Sequence, residues 1–154
     1  EKVSQMLDDL LQWFEEEGTD RDFLSIALLT PYVNQSRTLR KEANTVLKKW
    51  KASIKGTRCT VRLVENRTVT VFCSTVDKFQ GQEADVVILS LRNVNRQGNI
   101  DSPNRANVAL TRAREALFIV GNRSNYKSAR DPMLKRLATG IEMANDNTYW
   151  RGKK

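Results

Sequence analysis

The chain has 154 residues, 40% hydrophobic and 29% charged, enough for one well-cored domain and too few for two ordinary ones. It contains no histidine, and its two cysteines, Cys59 and Cys73, stand outside any C-x-x-C spacing, which argues against Ser-His-Asp or Cys-His chemistry, zinc and a disulfide framework. The absence of histidine leaves arginine, carboxylates, hydroxyls and backbone groups as the available kit, which suits phosphate handling, and the net charge is +8, from 26 basic and 18 acidic residues.

No stretch approaches the roughly 20 apolar residues that cross a bilayer, and the acidic N-terminal segment is unlike a signal peptide, so a soluble intracellular protein with no membrane partner is expected. Val3, Met6, Leu7, Leu10, Leu11 and Phe14 recur at the spacing of a helix with one buried stripe, ended by Gly18. The missing initial methionine and this helix's need for a sheet to cover suggest a chain that begins inside a larger fold. Residues 23–29 form an apolar run closed by Thr30-Pro31, a buried parallel strand that proline stops. Leu39, Ala43, Val46, Leu47 and Trp50 then predict a second amphipathic helix, and residues 58–73 alternate around Glu65-Asn66 as a pair of strands. Both cysteines fall in strand-like segments and are expected as reduced core residues.

Residues 84–91 and 116–120 are near-continuous apolar runs, as in strands covered on both faces, and a helix is expected between them over residues 104–115. Strand and helix in alternation predict an α/β fold with an open, mainly parallel sheet and helices on both faces. The domain is expected to span residues 1–143, with 144–154 a polar tail. Residues 36–67 hold ten bases against Glu42 and Glu65. A polyanionic partner and a solvated helix face explain that excess equally well.

Three segments carry the chemistry: L-L-T-P-Y-V-N-Q at 28–35, T-V-D-K-F-Q-G-Q-E-A-D-V-V at 75–87 and N-V-A-L-T-R-A-R at 107–114. Thr30, Pro31 and Tyr32 come at a strand's carboxyl end, where ligands bind in open α/β sheets. Gly81 stands where the backbone must turn sharply, Glu83 just before a buried strand, and Thr75 with Asp77 is placed to cap a short helix. On a helix, Arg112 and Arg114 would point about 200° apart, so they could not face one phosphate together.

In order and approximate spacing these segments resemble motifs IV, V and VI of superfamily 1 helicases, in the branch that includes the nonsense-mediated decay helicase. The resemblance covers most of residues 3–140 and implies a RecA-like three-layer fold, the second of two motor domains. It further implies that Arg112 is an arginine finger for the γ-phosphate of ATP, whereas Arg114 is explained by a surface salt bridge. By the same resemblance Gln80, Gly81 and Glu83 contact the nucleotide, Glu83 at the ribose. Arg37 would supply a second phosphate contact, although the family's arginine directly follows the motif IV glutamine and here Ser36 intervenes. Thr30, Pro31, Tyr32, Ser74, Thr75 and Asp77 would contact single-stranded nucleic acid, DNA or RNA.

There is no G-x-x-x-x-G-K-[ST] loop, the only Gly-Lys pair being Gly152-Lys153, and no strand ends in Asp-Glu. ATP and Mg²⁺ are therefore expected to be held mainly by an upstream RecA-like domain, and the chain alone to be inactive. The competing expectation is a non-catalytic nucleic-acid-binding or docking module that keeps a helicase fold.

Overall fold

The computed structural model describes residues 1–17, 20–91, 103–122 and 135. Gly18 and the segment 144–154, singled out above, lie outside them.

The first helix, α1 (Lys2–Glu16), buries Val3, Met6, Leu7, Leu11 and Phe14 along the stripe expected from their spacing. It ends over the sheet, where Arg67 donates through Nη1 to the carbonyls of Phe14 at 3.1 Å and Glu15 at 3.3 Å, filling acceptors that a helix terminus leaves open. Strand β1 (Phe23–Thr30) follows, and then α2 (Val33–Leu47), with Leu39, Ala43 and Leu47 buried. A short 3₁₀ turn, Lys48–Trp50, closes α2. Asp8 of α1 is buried there and answered by Lys49 Nζ at 2.6 Å and Trp50 Nε1 at 3.3 Å, which ties the two helices together and compensates a carboxylate removed from water.

Strands β2 (Arg58–Arg62) and β3 (Thr68–Thr75) form the expected antiparallel pair, and Glu65 and Asn66 at its turn adopt positive φ. Strand β4 (Ala84–Leu91), helix α3 (Pro103–Leu110) and strand β5 (Ala113–Gly121) complete the described chain. The sheet runs β2-β3-β1-β4-β5, with every pairing parallel except β2 with β3. It is the mixed, mainly parallel α/β sheet predicted from the strand and helix order.

Alternate side chains of β1 serve two cores. Ile26 and Leu28 meet α1 and α2 on one face, together with Leu7, Phe14, Leu47 and Ile88. Ala27 and Leu29 face the other side, covered by Val76 and Phe79 from the segment joining β3 to β4 and by Ala109 of α3. In that second core Phe79 meets Phe72 edge to face, with ring centroids 5.5 Å apart.

Three expectations are corrected. The third helix stops at Leu110, and β5 begins at Ala113, because Ala113 pairs with Ala84 of β4, with a register shift before the ladder resumes at Ala116. Among the described residues β5 is an outer strand of the sheet and is only half-buried, unlike β4, which is covered along its whole length. Cys59, on the edge strand β2, is half-buried while Cys73 is buried, and both are free thiols. Burial pushes their pKa values up to about 11 and about 12, respectively.

Candidate functional site

The parallel register sorts the candidate residues to two ends of the sheet. Ala84 pairs with Ala113, so the amino ends of β4 and β5 lie side by side, and the Ala84 N–H donates to the Arg112 carbonyl at 3.0 Å. Residues immediately before those strands, Glu83 and Arg112, are thereby brought together from 29 positions apart.

Gly81 makes the turn into β4 with φ +80°, a conformation that costs any residue bearing a Cβ. The Gln82 carbonyl beyond it accepts from Arg112 Nη1 at 3.4 Å. Arg112 Nε donates to the Val108 carbonyl of α3 at 3.0 Å and Nη2 to Thr111 Oγ1 at 3.2 Å. The guanidinium is half-buried beside the 80–83 turn, on neutral acceptors, and among the described residues no carboxylate pairs with it.

Arg114 has the opposite environment. Its Nε donates to Glu83 Oε2 at 3.2 Å, and its Nη1 lies 3.5 Å from Asp85 Oδ1. Arg112 and Arg114 are thus separated by the helix-to-strand junction, the former in the turn and the latter on β5, and not by their angle around a helix. Arg114 forms the salt bridges expected of it, and Glu83 keeps Oε1 without a partner among the described residues.

Beneath this cluster lies a buried clamp absent from the expectations above. Asp85 Oδ2 accepts from the Ser25 N–H at 2.8 Å and from Ser25 Oγ at 2.7 Å, while the Asp85 N–H donates to Ser25 Oγ at 2.9 Å. The clamp joins β1 to β4 at the amino end and fixes Asp85 where Arg114 reaches it. Its signal was available: Ser25 interrupts an apolar run and Asp85 opens one, and buried polar groups need partners. Nearby, Arg21 pairs with Glu115, whose hydrogen bond and charge raise the Arg21 pKa.

At the other end, Thr30 and Thr75 are register partners at the carboxyl edges of β1 and β3. The Thr30 carbonyl accepts from the Val76 N–H at 3.0 Å, and its hydroxyl accepts from the Tyr32 N–H at 3.4 Å. Thr75 Oγ1 accepts from the Lys78 N–H at 3.4 Å in the 3₁₀ turn Asp77–Phe79, whose N-cap position is Val76 and not Thr75 as expected. Thr30, Pro31, Ser74 and Thr75 are buried, so of the six residues expected to meet nucleic acid only half-buried Tyr32 and exposed Asp77 reach the surface. Gln35 anchors this edge to β4, its amide donating to Ser90 Oγ at 2.8 Å.

Six strand residues separate the two ends, about 20 Å at the rise of a β-strand. The carboxyl-edge crevice expected of open α/β sheets therefore covers Thr30 and Thr75 but not Glu83, which sits at the opposite edge. Arg37 is exposed on α2, and among the described residues no hydrogen bond or ion pair brings it to the 80–83 turn. Among the described residues no cluster of acidic or cysteine side chains could hold a metal, and no helix is long and apolar enough to cross a membrane.

Residues 1–124 match the family model described as "AAA domain". The chain is 32% identical over 132 residues, 83% of its length, to Helicase sen1 of Schizosaccharomyces pombe. It is 32% identical over 128 residues, 81% of its length, to the DNA polymerase alpha-associated DNA helicase A of Saccharomyces cerevisiae. It spans only 7% and 16% of those two proteins. In fold it is similar to the crystal structure of the C-terminal domain of a possible DNA helicase from Lactobacillus plantarum, with a TM-score of 0.51 and 21% identity over 87% of this chain and 71% of that one.

Proposed function

This chain belongs to the AAA-domain family as a superfamily 1 helicase domain of the branch that includes the nonsense-mediated decay helicase, and from that premise we propose that it is the second motor domain of an ATP-dependent helicase or translocase. Its sheet and helices are the RecA-like fold. The observation that carries the proposal is the contrast between two arginines two residues apart. Arg114 is neutralised by Glu83 and Asp85, whereas Arg112 rests on neutral acceptors and keeps its charge for an incoming anion.

A planar, permanently charged fork suits a phosphoryl group whose transition state spreads negative charge over its oxygens. In this mechanism ATP lies between this domain and a first RecA-like domain, and Arg112 reaches the γ-phosphate. Glu83, steadied on one oxygen by Arg114, offers the other to the ribose, with Gln80 and Gly81 shaping the approach. Exposed Arg37 reaches the phosphates when the domains close. Mg²⁺ belongs to the first domain's phosphate loop and would offset phosphate charge there.

Single-stranded nucleic acid is gripped at the carboxyl edge. Tyr32 supplies a stacking surface, and Asp77, the wrong sign for a phosphate, faces bases or sugars. Thr30, Pro31, Ser74 and Thr75 form the floor that holds them in place. Because the strands run without interruption from one site to the other, closure on ATP at the amino edge carries the grip about 20 Å away as one body.

The test uses the longer protein that contains the first motor domain. Single strands should stimulate its ATP hydrolysis, and Glu83→Gln should raise KM for ATP with kcat little changed. Residues 1–154 alone should bind ATP weakly and turn over none. Turnover by the isolated chain, abolished by Arg112→Ala, would contradict the shared site.

A further inference from the structure

Beyond the carboxyl-edge grip, we propose that the outer face of α2 and the segment beside it, residues 51–57, form a second contact for the phosphodiester backbone of a single strand, built from Lys41, Lys48, Lys51 and Lys55. The inference rests on the reading of this chain as a nucleic-acid motor.

Lys41 on α2 and Lys48, the residue that caps α2 with helical φ and ψ, are seven residues apart and fall on one stripe, turned away from buried Leu39 and Ala43. Segment 51–57 runs back along the neighbouring stripe. Asn44 holds it by accepting from the Ile54 N–H at 2.7 Å and donating to the Ile54 carbonyl at 3.4 Å, and Arg40 Nη1 donates to the Gly56 carbonyl at 2.8 Å. Lys51 and Lys55 therefore lie next to the Lys41–Lys48 stripe. All four lysines are exposed, and among the described residues none has a hydrogen bond or ion pair through its side chain.

The acids of the region point elsewhere. Glu42 lies on the side of α2 that faces the start of α1, and Glu65 is paired with Arg67 at 2.9 Å. Four like charges without a counterion weaken a folded state by mutual repulsion, and a polyanion removes that cost. Lys51 also adopts φ +54°, a left-handed conformation for which glycine or asparagine is the usual choice.

Position favours a strand already held at the grip. Tyr32 immediately precedes α2, and Lys41 lies nine residues on, about 13 Å along the helix. A strand leaving Tyr32 along this face would meet the four lysines in succession.

The experiment uses the longer helicase that contains this chain, with a 20-nucleotide oligo-thymidine probe, longer than single-strand sites of about 4 to 16 nucleotides. Affinity is measured across a salt series for the parent and for the combined Lys41→Gln, Lys48→Gln, Lys51→Gln and Lys55→Gln variant. Each lost phosphate contact should flatten the slope of log affinity against log salt by about 0.7, so the combined variant should lose about two to three units of slope. ATP hydrolysis without nucleic acid should stay unchanged. Lys51→Gly, which suits the left-handed backbone, should leave Tm no lower while flattening the slope by about one contact. Parent-like slopes in both variants would overturn the proposal, even with the carboxyl-edge grip intact. A parent that bound no single strand at all would overturn the motor reading together with it.

Discussion

Removing the Asp85 carboxylate should expose how strongly the amino end of the sheet depends on the clamp between β1 and β4. Asp85→Ala deletes the acceptor for the buried Ser25 N–H and for Ser25 Oγ, contacts of 2.8 and 2.7 Å. Hydrogen bonds to a charged group contribute about 1.5 to 3 kcal/mol each, and an orphaned buried N–H costs about 1 to 3 kcal/mol. These terms overlap, so the expected loss is about 3 to 5 kcal/mol. Asp85→Asn keeps an oxygen for the Ser25 N–H and should lose about 1 to 2 kcal/mol. Arg114→Ala removes a half-exposed ion pair to Glu83 and a longer 3.5 Å contact to buried Asp85, whose carboxylate keeps its hydrogen bonds from Ser25, and should cost under about 1 kcal/mol. Urea unfolding of the 154-residue chain at neutral pH measures all three. An Asp85→Ala midpoint equivalent to less than about 1 kcal/mol, or a larger loss in Arg114→Ala, would refute the buried clamp as the source.

Two further perturbations probe the turn and the cores. At Gly81 a Cβ would meet no atom within 4 Å, so Gly81→Ala should cost only the backbone term of a left-handed residue, about 1 to 2 kcal/mol, and should raise KM for ATP in the longer protein by moving Gln80 and Glu83. A KM equal to the parent's would separate the turn from nucleotide binding. Burial holds the Cys59 and Cys73 thiols up to about 11 and about 12, so native protein at pH 8 should alkylate slowly, and denatured protein rapidly, at both. Both thiols stay protonated longer in the folded chain than in the unfolded one. Their contribution to stability is therefore intact below about pH 9 and lost as pH rises from there through 11 to 12, which alkaline unfolding curves of Cys73→Ser and the parent would compare.

The elements with one strong periodicity were legible from residues alone. The stripe of Val3, Leu7, Leu11 and Phe14 and the apolar runs of β1 and β4 hold almost residue for residue, because burial of those side chains and their backbone pattern demand the same conformation. The end of α3 was not legible. Residues 111–116 are rich in alanine, arginine and glutamate, good helix formers, yet Ala113 is drawn into the ladder with Ala84 and the strand wins over local propensity. The Ser25–Asp85 clamp was equally hidden, since partners 60 residues apart meet only once strand order and register are set. Both polar residues were visible as interruptions of apolar runs, but nothing in their spacing named them to each other. Register also decides that Glu83 shares an edge with Arg112 and not with Thr30, which motif order alone does not reveal.

The most direct measurement is single-strand-stimulated ATP turnover by the longer protein carrying Arg112→Ala, beside Arg114→Ala as its neighbour control. Loss of an arginine finger lowers kcat by about 10³ to 10⁵ in phosphoryl-transfer enzymes, so Arg112→Ala should fall in that range with single-strand affinity retained, and Arg114→Ala should act mainly on KM. Stimulated turnover within about tenfold of the parent in Arg112→Ala would contradict the account, because no other guanidinium beside the 80–83 turn lacks a carboxylate partner among the described residues.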